Sequence, residues 1–112
     1  MADKKTLRAV NDELRFIDDT RDNQLSITLK GAAFVGTVAF EASGDDGQTW
    51  VACPAVPIAG GASVTTATAD GVWLIFPGTG SGYPGTKGLW IRARLSILTG
   101  GTVDVFFKPT GE

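Results

Sequence analysis

The sequence predicts an all-β domain, an antiparallel β-sandwich of jelly-roll-like type with about seven or eight strands and an N-terminal arm. Three observations carry that expectation. From Gln24 onward apolar residues recur every second position, the period of a strand with one buried face. Glycine- and aspartate-rich turn signals interrupt this alternation about every 8–12 residues. Helical spacing is almost absent, its best match being Leu7, Val10 and Leu14 in the N-terminal segment.

That segment has a composition of its own. Residues 1–22 carry five of the ten Lys/Arg and six of the twelve Asp/Glu, so one fifth of the chain holds half its charges. Residues 1–23 are therefore expected as an arm or edge segment, and residues 24–112 as the sandwich. Leu7, Val10, Leu14 and Phe16 are the arm's candidate partner-binding anchors. Its local form is open between a partial helix and two short strands, TLRAV and LRFID, parted by the turn-prone Asn11-Asp12; an extended form is favoured.

The strands follow in order. Leu25, Ile27 and Leu29 alternate with Ser26, Thr28 and Lys30 until Gly31; Val38, Phe40 and Ala42 alternate until SGDDGQ. Asp46-Gly47 is a hairpin signal, because glycine accepts the positive φ of tight turns. TWVAC returns, and Pro54 and Pro57 close it. SVTTATA and VWLIF are separated by Asp70-Gly71, while PGTGSGYPGTKG (77–88) is a loop by composition. In LWIRARLSI, Leu89, Ile91, Ala93, Leu95 and Ile97 share one face and Trp90, Arg92, Arg94 and Ser96 the other. Thr99-Gly100-Gly101 is expected to turn the chain into TVDVFF, with Val103, Val105 and Phe107 facing inward.

Composition excludes several functions. With 112 residues, 43% hydrophobic and 20% charged, the chain is one globular domain. A formal net charge of −2 is no footprint for nucleic acid. Apolar runs as short as VWLIF do not span a bilayer as helices, and MADKKTLRAV has no signal-peptide core, so no membrane partner is expected and synthesis is placed in the cytoplasm. Without histidine there is no serine–histidine–acid triad and no usual neutral-pH base. Cys53 is single, and reads as a small buried apolar residue. GTGSGYPG lacks the spacing of a phosphate loop and leads into a strand. Asp18, Asp19 and Asp22, or Asp45 and Asp46, fall short of the six to eight oxygens calcium takes and suit turn chemistry better. The expectation is a non-enzyme with no catalytic residues, no cofactor and no metal.

What remains is surface. Trp90 and Phe106 fall opposite the aliphatic face, and Arg92 and Arg94 share the Trp90 side; tryptophan and arginine together mark protein contacts. Trp90, Arg92 and Arg94 join the arm's residues as candidate partner-binding positions. The alternative is that the N-terminal segment or a long loop folds over these rings. Trp73, in a run apolar on both sides, has no assignable face.

GTVAFEASGDDGQTW (36–50) and LWIRARLSILTGGTVDVFF (89–107) resemble β-sandwich modules of tailed-bacteriophage virion proteins, where a strand of the type GTVTFEGS passes through an Asp/Gly turn to TTW and a hairpin of the type RVRLTAYTSGTVTV closes the domain. The two segments hold 34 of the 112 residues. A single module with a short arm looks most like a capsid decoration (cement or staple) protein. The resemblance implies a structural virion component on the capsid exterior, with the major capsid protein as partner, self-association into a homo-oligomer, and stabilised subunit junctions. The alternative is a carbohydrate-binding or adhesion module of a phage tail, fibre or baseplate, binding glycan on Trp73, Trp90 or Tyr83.

Overall fold

A computed structural model describes residues 3–17, 25–75 and 90–109. The loop 77–88, the acids Asp18, Asp19 and Asp22, Tyr83, and the expected boundary at 23/24 lie outside the described residues. Within them the chain is all β with no helix: β1 (Asp3–Leu7), β2 (Glu13–Ile17), β3 (Leu25–Ser43), β4 (Val51–Ala52), β5 (Ala55–Pro57), β6 (Thr66–Ala67), β7 (Gly71–Ile75) and β8 (Trp90–Pro109). Every pairing is antiparallel.

Two long strands organise the molecule. β3 and β8, of 19 and 20 residues, pair along their whole length, from Leu25 opposite Pro109 to Ser43 opposite Trp90. A straight strand of that length would reach about 60 Å, whereas the longest axis of the molecule is 38 Å. The pair must therefore bend. Register shifts between Ala32 and Val35, and again between Thr37 and Val38, mark the place, as bulges do where strands pass from one sheet layer to the other. One half-sheet runs β1-β8-β3-β7-β5; in the other, β2 flanks β8 while β4 and β6 flank β3. The halves close face to face: Phe16 of β2 meets Phe107 of β8 at 6.0 Å between ring centres, and Phe40 of β3 meets Trp73 of β7 at 5.6 Å.

The bend corrects two expectations. Gly31 does not end a strand, and Thr99-Gly100-Gly101 does not reverse the chain. These glycines let β3 and β8 turn the corner together. Gly101 has φ 72°, and a side-chain carbon there would run into the Ala33 carbonyl; one at Gly36 would run into the Ile97 carbonyl. Ala33 itself has φ 53°, an uncommon conformation for a residue with a Cβ. The register shift also flips the parity of β3: Leu25, Ile27 and Leu29 are buried before the bend and Val38, Phe40 and Ala42 after it. On β8 the inner face keeps one parity, with Ile91, Ala93 and Leu95, then Val103, Val105 and Phe107 buried. Ile97, expected inside, is 57% exposed because it sits at the corner, beyond the covered part of the layer. TWVAC and SVTTATA contribute only β4, the Val64–Ala55 bridge and β6.

The N-terminal segment is not a free arm over its described residues. It forms edge strands on both halves of β8: β1 pairs with Asp104–Phe107 and Val103, and β2 with Trp90–Arg94. The turn between them uses Asn11 at φ 76° and Asp12, whose Oδ2 accepts the Arg8 and Ala9 amides at 2.8 and 3.0 Å. Leu7 is fully buried and Phe16 is 8% exposed. On β2 alternation sends Leu14 and Phe16 inward and leaves Glu13 and Arg15 outside; on β1 Lys5 shares the face of Leu7, opposite Val105, and a charge on the inner side of an edge strand protects it from pairing with other chains.

Candidate interaction face

Trp90, Arg92 and Arg94 do share one face, the outer side of the half-sheet containing β2. Antiparallel register sets their neighbours: Glu13 and Ala39 lie opposite Arg94, and Arg15 and Glu41 opposite Arg92. Two arginines facing each other across a ladder repel, so the acids are required. Glu41 accepts Arg92 Nε at 2.6 Å and Arg94 Nε at 3.1 Å. Glu13 accepts Arg15 Nε at 2.6 Å and Arg92 Nη1 at 3.3 Å, and Arg94 also reaches Asn11 Oδ1 at 3.1 Å. Burial alone would raise both glutamate pKa values; for Glu41 the hydrogen bonds and charges of Arg94 and Arg92, and for Glu13 those of Arg15 and Arg92, outweigh it and lower them.

The loop between β3 and β4 closes over this network. Ser43 is buried, and its hydroxyl donates to Asp45 Oδ1 at 2.8 Å while accepting the Gly47 amide at 2.9 Å. Asp45 Oδ1 also takes the Thr49 and Gln48 amides at 2.7 and 3.1 Å. Hydrogen bonds from Thr49, then Ser43, bring the Asp45 pKa down to about 2. Asp45 is thus a loop organiser, as its turn reading had it. Asp46 and Gly47 both have positive φ, the Asp-Gly turn expected from sequence. Gly47 packs on Trp90, where a Cβ would stand 2.9 Å from the ring. Trp50 donates Nε1–H to the Gly47 carbonyl at 2.9 Å, and its ring lies over the Arg92 guanidinium at 4.2 Å and Arg15 at 5.3 Å. Stacked cations of this kind hold a loop in place.

The β3–β4 loop thus covers Trp90, as the long-loop alternative has it, whereas Phe106 lies on the other half-sheet and lines an open cleft. Arg92 and Arg94 have their hydrogen bonds inside the chain. Leu7 and Phe16 belong to the core, Leu14 packs against it, and Val10 stands 51% exposed in the β1–β2 turn. The anchors expected on one arm are thus divided between core and surface. Trp73, at 9% exposure and against Phe40, is no sugar platform. Glu13, Glu41 and Trp50 were missed in sequence. Glu41 is detectable as the acid at an outward position between Phe40 and Ala42, whereas Glu13, beside Asp12 and ahead of the expected strand LRFID, is not, and nothing local signals that Trp50 reaches Arg92. Cys53 is 1% exposed, and burial pushes its thiol pKa up to about 12, the opposite of an activated nucleophile. Among the described residues no group of three acids or cysteines is placed to hold a metal.

The second half-sheet offers a different surface. Lys4, Thr28, Lys30, Asp104 and Phe106 line an open cleft of about 230 Å³ on its outer side.

These features define a class: a two-layer β-sandwich built on a bent pair of long central strands, with an outer face on one layer whose arginines are paired within the chain and an open cleft on the other. Solved structures share the architecture. The SPBc2 prophage-derived protein YomS superposes with a TM-score of 0.66 at 13% identity, over 96% of this chain and 93% of that one. The Yersinia pseudotuberculosis-derived mitogen gives 0.50 at 12% identity, over 100% and 86%. At such identities the likeness is one of fold. No family model and no curated protein matches the sequence.

Proposed function

We propose that this chain is a non-enzymatic structural component of a tailed-phage particle, a module that docks on the outside of the assembled head and braces its subunit junctions. The observation that carries the reading is the likeness to a prophage-derived protein along nearly the whole of both chains. A second supports it: the two segments that resemble virion modules lie mainly on β3 and β8, the paired central strands. The resemblance thus falls on the framework of the domain. Because the same architecture also occurs in a bacterial mitogen, fold alone does not assign the role.

Attachment in this reading uses the outer faces of the sandwich, since the N-terminal strands are committed to their own sheet. A shell repeats each contact many times, so weak docking gains from multivalency where one oligomer bridges neighbouring subunits. Mass spectrometry of gradient-purified particles is the test. Recovery of the chain at a fixed ratio to the major shell protein is expected, and absence from particles made in cells that express it would reject the reading.

A further inference from the structure

We propose that the cleft on the outer face of the β1-β8-β3 layer is a docking site for an extended acidic segment of a partner protein, with an apolar side chain on Phe106 and one carboxylate on each of Lys4 and Lys30. Register places the parts. Phe106 of β8 lies opposite Lys4 on one side and Thr28 on the other; one step along the same face, Asp104 lies opposite Thr6 and Lys30. Val103, Val105 and Phe107 are buried on the inner side, so Asp104 and Phe106 are outward by alternation. Phe106 remains half-buried and both lysines are exposed. Among the described residues neither ammonium has a carboxylate within ion-pair distance, whereas Asp104 Oδ1 already accepts the Thr6 hydroxyl at 2.6 Å. The cleft therefore has an aromatic floor and a lysine at each of two opposite corners, two cations against the single carboxylate of Asp104, which lies across the ladder from Lys30.

Sheet geometry sets the ligand's spacing. Lys4 and Lys30 are two strands and one two-residue step apart, a Cα diagonal of about 12 Å. In an extended peptide, residues i, i+2 and i+4 project to one side, with i and i+4 about 13 Å apart. An acid–x–apolar–x–acid pattern thus presents carboxylates to both lysines with its central side chain over Phe106. A sugar is the poorer fit, since the one carboxylate placed to take its hydroxyls, Asp104, is partly engaged by Thr6. The inference deepens the docking role proposed above, and its test needs no phage particle, so the two readings fail separately.

The probe is the peptide acetyl-Glu-Thr-Leu-Thr-Glu-amide, titrated into the 15N-labelled full chain. Saturable amide shifts at residues 4, 28, 30, 104 and 106 are expected, with Kd on the order of 1 mM and weakening in high salt. Lys4→Gln and Lys30→Gln, both exposed and outside the core, should each weaken binding by roughly two- to fivefold, and the peptide with both Glu replaced by Gln should bind correspondingly worse. Equal binding of the Gln peptide, shifts centred elsewhere, or no saturable shift would overturn the proposal. Glucuronate saturating the same signals below the peptide's concentration would overturn it in favour of an acidic glycan.

Discussion

Replacing Leu7 by alanine separates a docked N-terminal strand from a free arm. Leu7 is fully exposed in an arm and fully buried in the structure, where it lies opposite Val103. Three buried carbons are lost, worth about 2.5 kcal/mol of transfer free energy. A cavity term adds to this where neighbours cannot relax, giving about 3–5 kcal/mol for rigid sites. An edge strand yields more readily than a central one, so the expected cost is about 3 kcal/mol. That is a large part of the 5–15 kcal/mol that holds a domain of this size together. At about 4 °C per kcal/mol, the melting temperature should fall by roughly 12 °C, with the urea midpoint shifting at unchanged slope. Arg8→Ala, exposed just after β1, is the control and should stay within about 2 °C. A Leu7→Ala protein melting like its parent would refute the pairing of β1 with β8 and restore the arm.

Other perturbations have defined outcomes. Glu41→Gln removes the charge shared by Arg92 and Arg94 and should cost about 1–3 kcal/mol, read by chemical denaturation; no loss would mean the network does not hold the face together. Trp50→Ala should release the β3–β4 loop, raising amide exchange at 45–49 while β3 and β8 stay protected; unchanged exchange would contradict the stacking on Arg92 and Arg15. Glu13, Glu41 and Asp45 all have lowered folded-state pKa values, Asp45 at about 2, so their contribution is fully present above the ordinary carboxylate range and is lost as pH falls through the folded values. Melting temperature should therefore be level above about pH 5 and drop towards about pH 2; a level profile down to pH 2 would contradict the pairings. Cys53, with its thiol pKa near 12, should resist a thiol reagent at pH 8 in the folded chain and react at once in denaturant; rapid labelling of the folded chain would place it at the surface.

How far the sequence carries depends on what each feature rests on. Leu25, Ile27 and Leu29 reveal their strand because burial on one face is a local pattern, and Asn11-Asp12 and Asp46-Gly47 reveal turns because they meet a local backbone demand. The length of β3 and β8 is hidden, since Gly31 and Gly100-Gly101 look like strand ends. The close passage of one backbone by another at Gly36 and Gly101 is visible only once both strands are in place. Leu7 and Phe16 are obscured by the charges around them, which describe an exposed edge as well as they describe an arm. Trp90, Arg92 and Arg94 are placed on one face correctly by alternation. That their charges are answered by Glu13 and Glu41 follows from a register between segments about 50 and 80 residues apart, which no local pattern encodes. The cleft likewise joins three strands, and its lysines and Phe106 are unrelated in sequence.

The central claim is attachment to an assembled head. The direct measurement is co-sedimentation of the labelled full chain with intact heads that lack it, with separated tails as the comparison. Saturable binding to heads alone, at a fixed number of copies per shell and reduced by Lys4→Gln with Lys30→Gln, is the expected result. Binding to tails only, or to neither, would contradict the claim.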